Sequence, residues 1–412
     1  MYYYYKMDAI LGKGLSAKCV TTPRLKCKTE KKRLAGSRKK YVSKIVTKPT
    51  SSHIDKELYF RELIISKRII KEAVKKHSMK WLDSRFAIIY ESCNLDLNVN
   101  KNRNLKACDL DDNEQYLVLF SINGGCKSGD IELGEDISFF DKNERKHYTG
   151  NVLSINGEDY TINVESLNRV ITIGKRSIIR SCGVLNKKRI LLDFLASLPD
   201  IRMRFKYLLE SFQFLHSIGI AHLDIKRDNL ICDANGICRI IDFGASLTLS
   251  GEDSEFFRKL CKKMKVSRHP DFTNKFKEGL LMKIAVHTPG YVSPEFQLCS
   301  DMLSLKTLTT ERVTKRISKQ SKISLNSVDK EFLSSLIENK KDFIIDMFCG
   351  SGDKPPALFL SDVYSLGITF KKIVRDGKIQ DEKLNDLVSK MTEPIYSKRL
   401  TMDDCLKHPF FN

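Results

Sequence analysis

Residues 222–230 read HLDIKRDNL, and the tripeptide DFG follows at 242–244, its aspartate thirteen positions after Asn229. Upstream, Asp200–Ile218 carries apolar residues at helical spacing and predicts a long amphipathic helix, with a glycine just after its end. Residues 237–241 predict a short strand that runs into the DFG tripeptide. The quoted residues therefore lie between a predicted helix and a predicted strand.

Other regular elements are predicted on both sides of this stretch. Asp55–Lys76 has apolar residues at helical spacing, and Tyr116–Phe120 is a short apolar run that predicts a buried strand. Asp362–Val374 and Leu384–Met391 predict two further helices. The chain therefore combines a β-rich first part with a helical second part, which predicts an α+β fold.

Composition excludes several classes of protein. The 412 residues are 42% apolar and 30% charged, and 71 basic against 51 acidic residues give a net charge of +20. Such a chain is neither intrinsically disordered, nor collagen-like, nor a disulfide mini-scaffold. Because no stretch of about 18 apolar residues occurs, we expect no membrane span. The first residues lack the features of a secretory signal.

The twelve cysteines are scattered along the chain and none forms a C-x-x-C pair. This spacing excludes zinc-ribbon and thioredoxin sites. In a large chain without a signal peptide we expect the thiols to be reduced, as in cytosol or nucleus. Cys232 and Cys238 flank a short turn and are interpreted as core or strand residues.

The stretch quoted first resembles the catalytic loop and DFG of eukaryotic-type serine/threonine protein kinases, with the pattern H-R-D-x-x-x-x-N and then DFG. Leu223 stands in the place of the arginine. The resemblance implies that Asp224 accepts or orients the proton of the substrate hydroxyl, and that Lys226 contacts the γ-phosphate of ATP. It also implies that Asn229 and Asp242 hold Mg²⁺, with Mn²⁺ as an alternative ion.

The same resemblance assigns a nucleotide pocket to the first third of the chain. Residues 10–20 (ILGKGLSAKCV) resemble the Gly-rich loop, with alanine in place of the third glycine. Lys44, in YVSK, would pair with the α- and β-phosphates and with Glu62, for which Glu57 is the alternative. The further residues assigned to the pocket are Leu11, Gly12, Gly14, Ala17, Cys19, the gatekeeper Leu119, the hinge residues Phe120 and Ile122, and Ile231.

Residues 287–295 (HTPGYVSPE) resemble the peptide-binding end of a kinase activation segment. The resemblance implies that Thr288 touches the catalytic aspartate and lysine, as in serine/threonine kinases. It also implies a buried ion pair between Glu295 and Arg399.

Residues 361–367 (SDVYSLG) resemble the helix whose aspartate supports the catalytic-loop backbone, which assigns that role to Asp362. A similar sequence, SDMLSL at 300–305, stands at the more usual distance after Glu295. It lacks the glycine and continues into a polar stretch, so Asp362 is favoured.

The resemblance covers nearly the whole chain and predicts a single bilobal kinase domain over 1–412. The β-rich N-lobe would span about 1–122 and the helical C-lobe about 123–412. Four insertions would account for the extra length, and polarity favours a tolerated loop over a docking element for the last of them. These insertions are predicted near 21–40, 126–188, 245–287 and 300–358.

The predicted function is transfer of the γ-phosphate of ATP to protein serine and threonine residues by a monomer in cytoplasm or nucleus. The alternatives are a pseudokinase scaffold, a kinase of small molecules, and a protein that binds nucleic acid through its positive charge alone. The basic residues 24–40 are compatible with a solvated loop, nuclear targeting, or docking of an acidic protein or nucleic acid. The net charge suggests acidic protein substrates.

Leu223 removes the guanidinium that usually binds a phosphorylated activation loop. We therefore expect activity that does not require phosphorylation of this loop. The loop hydroxyls Ser246, Thr248 and Ser267 are interpreted as ordinary polar residues rather than phosphorylation sites.

Overall fold

We describe the protein from a computed structural model. Contacts divide the chain into two compact units: unit 1 comprises 1–47, 83–201 and 230–241, and unit 2 comprises 48–82, 202–229 and 242–412. The residues that the structure describes are 10–13, 17–20, 41–47, 53–94, 116–122, 136–141, 144, 146–157, 159–174, 178–179, 183–184, 191, 195, 198–232, 238–249, 284, 288–304, 309–321, 324–350 and 355–412.

Unit 1 contains a five-stranded antiparallel sheet with the order β1-β2-β3-β5-β4. The central strand β3 has the sequence YVSKIVT, rich in the β-branched and aromatic residues that favour strands. Its Lys44 lies opposite Cys19 of β2 and Leu119 of β5. The strands are β1 (Ile10–Lys13), β2 (Ala17–Val20), β3 (Tyr41–Thr47), β4 (Ile89–Asn94) and β5 (Tyr116–Ile122).

A second antiparallel sheet of unit 1, with the order β10-β6-β7-β8-β9, occupies much of the predicted insertion at 126–188. Its small core consists of Val152, Tyr160, Ile162 and Val164, and the last three alternate with more exposed residues along β8. This alternation is the pattern of a strand with one face in a core. The strands are β6 (Asp136–Asp141), β7 (Lys146–Asn156), β8 (Asp159–Val164), β9 (Arg169–Gly174) and β10 (Ile178–Ile179).

Three short strands form the remaining sheet of unit 1, and two more form a ribbon in unit 2. The three-stranded sheet has the order β11-β13-β14, and the ribbon pairs β12 with β15. The DFG tripeptide follows β14, and the 222–230 loop follows β12. The strands are β11 (Gly183–Val184), β12 (Ile220–Ala221), β13 (Leu230–Cys232), β14 (Cys238–Ile240) and β15 (Leu247–Thr248).

Helices build most of unit 2. Most of the predicted helices are a few residues longer in the structure than in the prediction. No helix in the described ranges is both long and apolar enough to cross a bilayer. A helix with continuous burial from Ser361 to Phe370 lies at the centre. The helices of the described chain are α1 (His53–Lys76), α2 (Met79–Arg85), α3 (Leu198–Ser217), α4 (Pro294–Ser304), α5 (Thr310–Ser321), α6 (Ser327–Glu338), α7 (Lys340–Cys349), α8 (Ala357–Asp376), α9 (Glu382–Met391) and α10 (Met402–Leu406).

The central helix α8 packs closely on its neighbours. The ring of Phe370 stacks on Phe205 of α3 with 3.7 Å between centroids. A Cβ atom added to Gly367 would lie 2.7 Å from the Cβ of Met391 on α9, so only glycine lets the two helices approach this closely. The glycine of the SDVYSLG motif therefore has a packing role.

The predicted loop at 300–358 is wrong, because this segment contains the helices α5, α6 and α7. Most of their apolar residues are buried in the main hydrophobic core of unit 2, with Val313, Ile317, Leu333 and Phe343 at most 3% exposed. The polar composition of the segment reflects the outer faces of the helices, while the inner faces keep apolar residues at helical spacing.

Helix α1 is attached to the other helices of unit 2 at two places. The guanidinium of Arg68 donates to the carbonyl oxygen of Ile218 from Nε at 3.1 Å and from Nη2 at 2.9 Å. After the helix, His77 stacks on Trp81, and the Trp81 ring meets Phe214 of α3 edge to face with 5.0 Å between centroids. These contacts fix the position of α1 relative to the start of the 222–230 loop.

The described cysteines include a facing pair in neighbouring strands and two buried thiols. Cys232 and Cys238 lie directly opposite each other on β13 and β14, as expected for strand residues, with their sulfur atoms within bonding distance. Cys299 and Cys405 are free and buried. Burial raises the pKa of each of these two thiols to about 12, which makes them unreactive near neutral pH.

Candidate active site

The backbone of the 222–230 loop is held by one buried carboxylate. Asp362 of α8 accepts hydrogen bonds from the amides of His222 at 2.7 Å and Leu223 at 2.8 Å, and its Oδ2 atom lies 3.0 Å from Nε2 of His216. A buried carboxylate is stable only when its oxygens are hydrogen-bonded in this way. The prediction that Asp362 supports the loop is confirmed.

The competing aspartate, Asp301 in SDMLSL, has a different role. It accepts hydrogen bonds from Arg316 of α5 at 3.1 Å and from Gln297 at 3.0 Å. Asp301 therefore anchors the inserted helices to α4.

Three side chains of the predicted site converge on the Asp224 carboxylate. The hydroxyl of Thr288 donates to Oδ1 at 2.5 Å, and the ammonium of Lys226 donates to Oδ2 at 2.7 Å and to the Thr288 hydroxyl at 2.8 Å. The amide nitrogen of Asn229 donates to Oδ2 at 3.0 Å and to the Asp224 carbonyl at 2.8 Å. The predicted contact of Thr288 with the aspartate and lysine is confirmed. The carboxylate is thus oriented from three sides.

Asp242 has an uncommon backbone conformation. Its φ of 62° and ψ of 75° lie in the left-handed region, which costs a residue other than glycine about 1–3 kcal/mol and is concentrated at functional sites. Phe243, which follows, is fully buried, and its ring lies 5.1 Å from the ring of His222. A Cβ atom at Gly244 would lie 3.3 Å from Oδ1 of Asp242, so glycine leaves room for that carboxylate.

Asn229 and Asp242 fit the prediction that they hold Mg²⁺. Because the amide nitrogen of Asn229 donates to Asp224, its amide oxygen is the group that can coordinate a cation. This oxygen and the carboxylate of Asp242 are hard donors of the kind that Mg²⁺ prefers, with phosphate oxygens and water completing its octahedron.

The residues predicted to bind the nucleotide lie mainly on unit 1. Lys44 is half-buried in the middle of β3, and Glu62 of α1 in unit 2 is buried. Gly14 lies outside the described residues. The structure places Leu11 and Gly12 on β1, Ala17 and Cys19 on β2, Leu119, Phe120 and Ile122 on β5, and Ile231 on β13.

The predicted ion pair between Glu295 and Arg399 is confirmed. The guanidinium donates from Nη1 to Oε1 at 2.7 Å and from Nη2 to Oε2 at 2.9 Å, and both side chains are buried. Ser361 adds a hydrogen bond to Oε1 at 2.9 Å. Burial alone would raise the pKa of Glu295, but the charge and hydrogen bonds of Arg399 hold that pKa below its usual value.

Sequence reasoning missed the side chains that surround the segment after Thr288. The ammonium of Lys372 on α8 lies 3.2 Å from the carbonyl oxygen of Gly290 and 3.2 Å from the centroid of the Tyr291 ring. Arg227 forms an ion pair with Asp376 at 2.7 Å. Burial raises the pKa of the Tyr291 phenol, against the opposing charge of Arg227. No signal in the sequence distinguished Lys372 from the neighbouring Lys371.

Leu223 is buried in the main core of unit 2, together with Leu247, Leu249 and Val292. Its φ of 64° is left-handed. The position of the missing arginine is therefore occupied by an apolar contact. Ser246 and Thr248 are also buried, which agrees with their interpretation as ordinary residues of the fold.

We predict that dephosphorylation leaves most of the phosphoryl-transfer rate intact, because no guanidinium at position 223 can bind a phosphate on the activation loop. The measurement compares initial rates before and after phosphatase treatment, with mass spectrometry to establish that phosphate has been removed. A sample treated with inactivated phosphatase is the control. Loss of most of the rate in the dephosphorylated protein alone would contradict the prediction.

Comparisons with known proteins point to one family. The family model of the protein kinase domain matches residues 183–411. Serine/threonine-protein kinase oca2 of Schizosaccharomyces pombe is 45% identical over 51 residues, which are 12% of this chain and 8% of that protein. The phosphorylase b kinase gamma catalytic chain, liver/testis isoform, of Mus musculus is 26% identical over 241 residues, covering 55% and 45%. CBL-interacting serine/threonine-protein kinase 9 of Arabidopsis thaliana is 31% identical over 96 residues, covering 23% and 16%. The chain spans less than half the length of each of these relatives.

Proposed function

The chain belongs to the protein kinase family, and we propose that it transfers the γ-phosphate of ATP to serine and threonine hydroxyls of protein substrates. The observation that carries the proposal is the hydrogen-bonded cluster of Asp224, Lys226, Asn229 and Thr288. A cluster with a carboxylate, an ammonium and a free amide oxygen supplies a proton acceptor, a phosphate-binding cation and a metal ligand.

In the proposed reaction, Asp224 orients the substrate hydroxyl and accepts its proton. Transfer of the phosphoryl group requires positioning and charge neutralisation more than covalent chemistry, so the exact direction of the carboxylate matters. Thr288 donates a hydrogen bond to Oδ1 of Asp224, and Lys226 donates one to Oδ2. The hydroxyl of a bound substrate would replace the Thr288 hydroxyl at Oδ1 or share that oxygen with it. Lys226 would then bind the γ-phosphate of ATP.

Asn229 and Asp242 would hold Mg²⁺, which neutralises the charge of the phosphates when it is bound. The hydrogen bonds from Asn229 to Asp224 would couple the metal ligand to the proton acceptor, so that both keep a fixed geometry. Lys44 on β3 of unit 1 would pair with the α- and β-phosphates of ATP.

Two rival functions are less well supported by the residues present. A scaffold without catalysis does not need an oriented carboxylate, yet Asp224 has three side-chain partners. A kinase of small molecules does not need the peptide-binding segment around Gly290 and Tyr291, whose conformation is supported by Lys372.

The test is transfer of label from γ-labelled ATP to casein and to histone by the full chain, followed by identification of the labelled amino acids. We expect label on serine and threonine that requires Mg²⁺ or Mn²⁺ and disappears with a chelator. ATP binding without label on either protein or on the chain itself would overturn the proposal in favour of the scaffold. Label on free small molecules alone would favour the second rival.

A further inference from the structure

The segment that follows Thr288 is bordered by cations. Thr288 touches the proposed base Asp224, so a substrate hydroxyl at that base places its neighbouring residues next to Gly290 and Tyr291. The Lys372 ammonium lies against both of these residues. A substrate side chain close to the acceptor would therefore meet a cation.

Of the acidic groups that the structure describes near this segment, Asp376 is paired with arginines and Asp228 is exposed. Asp376 is shared by two guanidinium groups, with Arg227 at 2.7 Å and Arg375 at 2.9 Å. The Nε–H of Arg227 is buried and has no acceptor among the described residues. Asp228 also lies near Tyr291, but it is exposed, so water and salt screen its field more than that of the half-buried Lys372.

We propose that Lys372 is a specificity-determining residue that selects substrates with an acidic side chain within three residues of the phosphorylated serine or threonine. This inference rests on the proposed function and adds the substrate class. An acidic side chain would gain an ion pair with a partly desolvated ammonium, and a basic one would be repelled. Specificity is the difference between these two effects.

The experiment uses the full chain and synthetic peptides with one serine. Glutamate, lysine or glutamine is placed in turn at each of the three positions before and after the serine. For at least one position we expect kcat/KM to be about tenfold higher with glutamate than with lysine, which corresponds to about 1.4 kcal/mol. Lys372→Glu is expected to reverse the order, and Lys372→Met to remove the preference.

Lys371→Glu is the matched control, because Lys371 is the exposed neighbour on the same helix and the charge change is identical. It should keep the wild-type preference, and glutamine peptides report activity independent of peptide charge. Lys372→Met keeps the inference testable if Lys372→Glu fails to fold, since it removes the charge but leaves the apolar stem over Tyr291.

Equal kcat/KM for glutamate and lysine peptides in the wild type would overturn this inference and leave the proposed function intact. Retention of the glutamate preference in Lys372→Met would overturn the role of Lys372. Failure to label any peptide, casein or histone would overturn the proposed function, and this inference with it.

Discussion

Asp224→Asn is expected to lower the rate of phosphoryl transfer by about 10²–10⁴-fold, the usual contribution of a general base. An amide cannot accept the proton of the substrate hydroxyl. In addition, its NH₂ group would face either the ammonium of Lys226 or the hydroxyl of Thr288, which now donate to the two carboxylate oxygens. The loss should appear mainly in kcat, because the substitution leaves the nucleotide-binding residues of unit 1 unchanged.

The measurement is the initial rate of labelling at saturating ATP, together with the ATP dissociation constant and the thermal unfolding of each variant. Asp228→Asn is the matched control, because Asp228 lies on the same loop, has the same side chain and is exposed. It should keep the transfer rate within a few-fold. If folded Asp224→Asn that binds ATP retained more than a tenth of the wild-type rate, Asp224 could not be the base.

The loop residues and the partners of Asp224 could be predicted because the chemistry places strict demands on residue type and spacing. A short hairpin, β13–β14, connects the 222–230 loop to the DFG tripeptide. The number of residues between the two motifs therefore indicates that the hairpin brings them together. Asp362 was distinguished from Asp301 by Gly367, which SDMLSL lacks, and the structure shows that this glycine lets α8 pack closely against α9. The match to the protein kinase domain confirms the family that these motifs indicated.

Other features of the site could not be predicted from motifs. The backbone carbonyl groups of Ile218 and Gly290 accept hydrogen bonds from Arg68 and Lys372, respectively. Because every residue has a backbone carbonyl group, the sequence does not indicate which of them will accept such a bond. The helices at 300–358 were missed because average composition hides their spacing: Val313 and Ile317 lie one helical turn apart within a strongly basic segment.

The second large effect concerns stability: Glu295→Gln is expected to lower the free energy of unfolding by about 3–5 kcal/mol, because it leaves the Arg399 guanidinium buried without a counter-charge. Both side chains are at most 1% exposed and joined by two hydrogen bonds. Lys390→Met, which breaks the exposed pair with Asp386 on α9, is the control and should cost less than about 1 kcal/mol. Urea unfolding of the full chain measures both, and equal costs for the two variants would contradict the prediction.

The effect of Glu295→Gln should also depend on pH in a defined direction. Arg399 holds the pKa of Glu295 in the folded protein below its unfolded value of about 4.3, so the pair stabilises the fold fully above that value. As the pH falls below about 4.3 and through the lower folded pKa, the carboxyl becomes protonated in both states, and wild type and variant should converge. Glutamine does not titrate, so the difference between the two proteins isolates this one carboxyl from the other acids of the chain. A difference that stayed constant from neutral pH through this acidic range would show that packing, and not the charge of Glu295, accounts for the loss.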